Sequence, residues 1–124
     1  MKIPPFSTAE YDRRIAAARA AMQARDLEAM IVTDPSNQAW LTGYDGWSFY
    51  VHQAVILPAE GQPIWWGRGQ DANGARRTVD TDRTGIVGYP DNFVQSTERH
   101  PMQHLAGTLA DIGIGGGRIG LEMD

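Results

Sequence analysis

The spacing of apolar positions near the amino terminus predicts the first helix. From Tyr11 to Met22, apolar residues recur at intervals of four, three and four, which is the spacing of one face of an α-helix. Ser7 and Glu10 stand three residues apart just before this run, as the two partners of a capping box do. We therefore expect a helix that begins after Ser7 and ends near Arg25.

Short apolar or alternating runs predict the strands. Residues 29–33 are mostly apolar without alternation, as in a strand that is covered on both faces. Residues 49–57 form the longest β-like run, and together with residues 63–66 they predict a hairpin around a turn at 58–61. Further strands are predicted at residues 85–89 and 118–123, and further helices at residues 35–42, 71–78 and 101–112. The order α-β-α-β-β-α-β-α-β predicts a single α/β domain with a mixed, mostly parallel sheet and helices on both faces.

Composition and charge exclude several classes of protein. The chain has 124 residues, the size of one domain, and no cysteine, so disulfides and thiolate metal sites are excluded. Its net charge of −4 argues against a surface for nucleic acid or an anionic membrane. It has neither an apolar run of the ~18 residues that a membrane-spanning helix needs nor the apolar core of a secretory signal. We therefore expect a cytoplasmic globular domain over residues 1–124.

Three arrangements resemble functional motifs, and a structural role explains each of them better. The glycine-rich stretch 113–120 follows a predicted helix and enters a strand, the reverse of the order in a phosphate-binding loop. His100 and His104 have the spacing of zinc ligands, but no third ligand is evident and helix capping is the simpler role. Ser36 lacks the glycines of a hydrolytic nucleophile, and capping explains its place near Asp34. Nucleotide binding, zinc binding and a serine triad remain minor alternatives.

An aromatic cluster supplies the strongest functional signal that the residues give by themselves. Aromatic side chains are dense between Trp40 and His52, and two tryptophans follow at residues 65–66. Aromatic walls with a few fixed polar groups line small-molecule pockets, and His52 and the nearby Arg68 are such polar groups. Burial in the hydrophobic core would account for about half of these aromatic side chains. Because it is too large for the core of one small sheet, we expect an exposed apolar patch that includes Trp40, Trp47 and one of the tryptophans at 65–66.

The residues around this cluster resemble a known family. Asp34-Pro-Ser-Asn37 followed by Trp40-Leu-Thr-Gly43, and the terminal Ile119-Gly-Leu-Glu122, are similar to the N-terminal domain of the creatinase/prolidase (pita-bread) metallohydrolases. The longer stretches 40–53, 67–78 and 88–102 resemble the ectoine hydrolases of that family in particular. One departure puts creatine in doubt as a substrate. Tyr50 follows Ser48-Phe49, where creatinases carry an arginine that holds the creatine carboxylate.

The resemblance implies that residues 1–124 are the non-catalytic N-terminal domain of a metal-dependent C–N hydrolase, of the ectoine hydrolase, creatinase or Xaa-Pro dipeptidase type. It implies a catalytic domain after residue 124 that holds two divalent metals through Asp, Asp, His, Glu and Glu, and therefore no catalytic residue, metal ligand or cofactor within residues 1–124. It also implies a homodimer in which this domain helps to close the substrate pocket. The alternative is a free-standing α/β module that binds a small molecule or a nucleotide, and the end of the chain directly after the last strand favours the first interpretation.

Within that interpretation, substrate binding falls to the segment around residues 47–52 and to one arginine. We expect Trp47, Phe49, His52 and Arg68 to contact a small-molecule substrate. His52 is the first candidate for a hydrogen bond to a substrate carboxylate, and Arg68 is the second. A core histidine without a binding role is an equally weighted alternative for His52.

Overall fold

The computed structural model describes residues 5–46 and 51–122, which form four helices and five strands of one α/β domain. The helices are α1 (Thr8–Ala24), α2 (Pro35–Thr42), α3 (Ala72–Thr78) and α4 (Pro101–Asp111). The strands are β1 (Leu27–Val32), β2 (Ala54–Pro58), β3 (Ile64–Arg68), β4 (Gly85–Tyr89) and β5 (Arg118–Leu121). Single helical turns at Gly69–Asp71 and Asp91–Phe93 follow β3 and β4. The predicted order of helices and strands is confirmed.

The five strands form one mixed sheet in the order β4-β3-β2-β1-β5. Strand β2 pairs antiparallel with both β1 and β3, whereas β3 pairs parallel with β4 and β1 pairs parallel with β5. Four strands therefore run in one direction and β2 alone runs in the other, which confirms a mixed, mostly parallel sheet. We call the edge where β1, β3, β4 and β5 end the carboxyl edge, and the other the opposite edge.

Both faces of the sheet carry helices, as predicted. Val55 and Trp65 belong to a core that includes side chains of α1, α2 and α3, whereas Ile56 and Trp66 belong to a second core that includes Leu105 of α4. Successive strand residues point to opposite faces, so the two adjacent tryptophans are buried in different cores. Three helices thus cover one face and a single helix covers the other.

Local capping explains where α1 and α2 begin. The Ser7 hydroxyl accepts a hydrogen bond from the N–H three residues on, at 3.2 Å. The Asp34 carboxylate accepts from the N–H groups of Ser36 and Asn37, at 2.7 and 3.2 Å. Helix capping therefore explains why Asp34 and Ser36 stand together, and no catalytic role is needed to explain it. Helix α2 ends at Gly43, whose φ of 81° lies in the left-handed region that favours glycine.

One predicted boundary is wrong. Strand β2 begins at Ala54, not at residue 49, because its pairing with β3 starts there and the pairing with β1 starts one residue later. Residues 51–53 precede the strand, and residues 49–50 lie outside the described part of the chain. Asp71 stands at the N-cap position of α3, and that helix ends at Thr78 as predicted, but the Asp71 carboxylate pairs with Arg68 and makes no capping hydrogen bond.

The expected apolar patch is confirmed in part. Trp40 is 41% exposed, but Trp65 and Trp66 are fully buried because helices cover both faces of the sheet where they lie. Trp47 falls outside the described residues. Exposed apolar side chains occur instead where the single helix α4 leaves its face of the sheet less covered, at Met102 and Leu121. Among the described helices, none has both the length and the apolar character required to cross a membrane.

Candidate functional site at the carboxyl edge

His52 stands at the carboxyl edge, two residues before β2, and it is exposed. Its imidazole packs against that of His100 at the start of α4, with 4.9 Å between the ring centroids and a T-shaped arrangement. Its backbone carbonyl accepts a hydrogen bond from the Tyr89 hydroxyl at 2.7 Å. The structure therefore places the exposed His52 at a loop-to-strand junction.

The surroundings of His52 set its protonation state. Desolvation of the ring, reinforced by the neighbouring His100, lowers the pKa of His52 from its ordinary value of 6.5. The imidazole is consequently neutral near pH 7, with one nitrogen that donates and one that accepts a hydrogen bond. Such a ring can donate to a ligand carboxylate without carrying a charge of its own.

Arg68 lies at the end of β3 on the same edge and forms an ion pair with Asp71. Its Nε lies 2.9 Å from one carboxylate oxygen of Asp71, and a second guanidinium nitrogen lies 3.4 Å from the other. The two side chains are only 14% and 19% exposed. Asp71 already balances the charge of Arg68, so an anionic ligand at this guanidinium would compete with that carboxylate.

A small groove of about 310 Å³ lies beside His52, on the face of the sheet that α4 covers. Its lining includes Ile31, His52, Ala54, Met102, Leu105 and Leu121. The walls are therefore mostly apolar, with a neutral imidazole at the junction. Ligands of α/β sheets bind outside the carboxyl ends of the strands, which is where this groove lies.

Tyr89 connects the two predicted binding residues that the structure describes. It faces Arg68 in the parallel pairing of β3 and β4, and its hydroxyl bonds to the backbone of His52. Sequence analysis missed this tyrosine, and the one available signal was its place at the end of a predicted strand. The other two predicted binding residues, Trp47 and Phe49, lie outside the described part of the chain.

The other two histidines have structural partners. The His100 Nδ1 accepts a hydrogen bond from the Met102 N–H at 3.1 Å and caps α4. The His104 Nδ1 accepts from the Trp66 Nε1–H at 3.1 Å. Within residues 5–46 and 51–122, no group of three or more His, Cys, Asp or Glu side chains is arranged to hold a metal ion. The residues described here thus do not fit a catalytic metal centre.

A carboxylate on the same edge has a structural role. One Glu122 carboxylate oxygen accepts hydrogen bonds from the N–H groups of Thr33 and Asp34, at 2.7 and 3.0 Å. The other accepts from the Asn37 side-chain amide at 2.8 Å. Glu122 therefore joins the end of β5 to the start of α2, where the helix dipole favours a negative charge.

A family model described as the Creatinase/Prolidase N-terminal domain matches residues 14–124. A protein of Halomonas elongata named ectoine hydrolase is 52% identical over 121 residues, which make up 97% of this chain and 30% of that protein. The chain thus spans less than a third of the length of this relative.

Solved structures of dipeptidases have a similar fold. The dipeptidase PepE of Mycobacterium ulcerans superposes with a TM-score of 0.68 and is 26% identical, with 85% of this chain and 27% of that one covered. The creatinase/prolidase N-terminal domain of an X-Pro dipeptidase from Streptococcus pyogenes gives a TM-score of 0.69 at 18% identity, with 95% and 79% covered. At that identity, the second likeness concerns the fold alone.

Proposed function

The chain belongs to the creatinase/prolidase N-terminal domain family, and from this premise we propose that it is the non-catalytic N-terminal domain of a metal-dependent C–N hydrolase. The observation that carries the proposal is 52% identity to ectoine hydrolase across nearly the whole chain. In this proposal catalysis belongs to a domain after residue 124, where bound divalent metals would activate a water molecule. We extend the proposal to a cytoplasmic location.

We propose that the carboxyl edge forms one wall of the substrate pocket. The exposed, neutral imidazole of His52 can donate a hydrogen bond to a carboxylate. The apolar groove beside it, about 310 Å³ in volume, suits the hydrocarbon part of a small molecule. Together they favour a compact substrate such as a cyclic amidine with a carboxylate group. Trp47 and Phe49 remain predicted contacts to the same substrate.

We also propose that this domain contacts its own catalytic domain and a second subunit. Leu121 at the end of β5 and Trp40 in α2 are 61% and 41% exposed, and exposed apolar surface of this kind marks interfaces. A partner that covers Leu121 at the carboxyl edge would exclude bulk water from the pocket, which strengthens the hydrogen bonds to the substrate.

The proposal is tested in the full-length hydrolase. Replacement His52→Ala should raise the Michaelis constant for ectoine about tenfold, the effect of losing a hydrogen bond to a charged group, while the metal content stays unchanged. The matched control is His104→Asn, because His104 accepts a hydrogen bond from Trp66 and does not line the groove. Unchanged kinetics together with a lower Tm for His52→Ala would show that His52 only packs. If the full-length protein hydrolysed an Xaa-Pro dipeptide but not ectoine, it would be a dipeptidase and the ectoine hydrolase proposal would be wrong.

A further inference from the structure

We propose that Tyr89 is a positioning residue for His52, whose carbonyl it holds so that the imidazole stands at the groove. The inference rests on the proposed function, because it concerns how the same binding residue is kept in place. Tyr89 and His52 are 37 residues apart in the chain.

The ring of Tyr89 is a fixed point. Tyr89 is only 1% exposed. Its ring contacts the rings of Trp66, Phe93 and His104, at centroid distances of 4.9, 6.3 and 6.1 Å. Burial also raises the pKa of the Tyr89 hydroxyl above 10.0, so the group remains a donor at neutral pH. A rigid donor of this kind fixes whatever it bonds to.

A second set of contacts holds the same backbone from the other face of the sheet. The Gln53 side-chain amide donates to the Gln38 amide oxygen at 3.2 Å, and both residues are buried. Gln38 in turn donates to the carbonyls of Val32 and Thr33, both at 3.2 Å. The chain is therefore held at residue 52 by β4 and at residue 53 by α2.

These contacts leave the His52 side chain with little freedom except rotation about its own bonds. Its ring then meets His100, 4.9 Å away. The hydroxyl bonds to the backbone of His52 and not to its imidazole, so an effect of the hydroxyl on the His52 imidazole must pass through the position of that backbone. A displacement of about 1 Å is enough to reduce catalysis strongly when a contact group is misplaced.

The first test is a titration of the histidines by NMR in Tyr89→Phe, which removes the hydroxyl and keeps the ring. The chain has three histidines, and His52→Ala assigns the signal of His52. We expect the His52 ring to leave His100 in Tyr89→Phe, with a changed chemical shift and a pKa closer to 6.5. An unchanged His52 signal and titration in the folded variant would overturn the proposal.

Two controls separate the hydroxyl from general packing. Phe93→Leu perturbs the same aromatic cluster and leaves the hydroxyl in place, so it should lower Tm without moving the His52 titration. Tyr11→Phe removes the hydroxyl of another buried tyrosine, in α1, and should leave the His52 signal unchanged. If Phe93→Leu moves the titration as far as Tyr89→Phe does, packing explains the effect and the proposal is wrong.

The second test is a double-mutant cycle on the Michaelis constant of the full-length hydrolase. Tyr89→Phe should raise the constant about fivefold, the equivalent of one ordinary hydrogen bond, and should have no effect in the His52→Ala background. The loss of Tm on Tyr89→Phe should be the same in both backgrounds, because the carbonyl of residue 52 remains. An equal rise of the constant in both backgrounds would overturn the proposal.

The two tests also distinguish this inference from the proposed function. If His52→Ala does not change the Michaelis constant, the binding role of His52 is wrong. The NMR titration then decides by itself whether Tyr89 holds His52.

Discussion

The two edges of the sheet use their polar side chains differently. At the opposite edge a wide cleft of about 1040 Å³ lies between α1, the turn after β2 and the loop before β4. Arg19 donates there to the carbonyls of Pro58 and Gly61, and Arg83 pairs with Asp12. These contacts join loops to α1. The smaller groove at the carboxyl edge carries an exposed imidazole held through its backbone, which is an arrangement suited to binding.

The difference shows that volume alone does not locate the site. The cleft at the opposite edge is the larger of the two, but its two arginines already bond to other parts of the domain. The carboxyl edge combines an apolar wall with His52, whose ring faces a groove. If this contrast is correct, the less exposed charged contacts at the carboxyl edge should contribute more to stability than the exposed contacts at the opposite edge.

The largest expected effect concerns Glu122. Replacement Glu122→Ala removes the acceptor of two backbone N–H groups and of the Asn37 amide, and it should lower the free energy of unfolding by about 2 kcal/mol, because bonds to a charged group are strong and their donors lose a partner. Urea unfolding of the 124-residue chain measures it. The control is Glu60→Ala in the exposed turn at the opposite edge, which should change stability by less than about 0.5 kcal/mol. Equal losses would remove the contrast.

The second effect compares two ion pairs. Arg68 and Asp71 are largely buried, whereas Arg83 and Asp12 are 41% and 51% exposed. A double-mutant cycle should give a coupling of about 1 to 2 kcal/mol for the first pair, because removing one partner leaves the other poorly solvated. For the second pair we expect about 0.3 kcal/mol, since water and salt screen it. A stronger coupling at the opposite edge would contradict the comparison.

The smallest effect is a pH dependence of stability. The pKa of His52 is lower in the folded chain than its ordinary 6.5, so the unfolded chain takes up the proton first as the pH falls. The contribution of His52 is therefore complete above pH 6.5 and is lost progressively below it. Unfolding in urea at pH 7.5, 6.5 and 5.5 should show a steeper loss for the parent chain than for His52→Gln. Parallel curves for the two proteins would exclude desolvation of this imidazole in the folded state.

The sequence predicted those parts of the fold that depend on neighbouring residues. Ser7 and Asp34 cap helices through bonds to N–H groups two or three residues away, so a short motif contains all the information. The apolar side chains of α4 were harder to place. Leu105 is buried, but Met102, three residues earlier in the same helix, is exposed, because one helix cannot cover the whole of that side of the sheet.

The sequence predicted which side chains belong to the candidate site, but it did not predict the contacts that join them. His52 and Arg68 were identified as polar residues near aromatic ones, and both lie at the carboxyl edge. Tyr89 joins them through a hydrogen bond across 37 residues and a strand register. Neither contact leaves a pattern in the local sequence, since any acceptor in the right place satisfies a buried tyrosine. The start of β2 escaped prediction for the same reason, because pairing with two distant strands sets it.

The reversed direction of β2 has a consequence for how this scaffold diversifies. Because β2 alone runs against the other strands, its amino end lies at the carboxyl edge, and residues 51–53, which lead into it, line the groove there. Replacements at residues 51–53 can alter the lining of the groove while every strand register is kept. Substrate specificity can therefore differ between relatives that share the same sheet. If the segment before β2 is exchanged between two such relatives, the substrate preference should be exchanged with it.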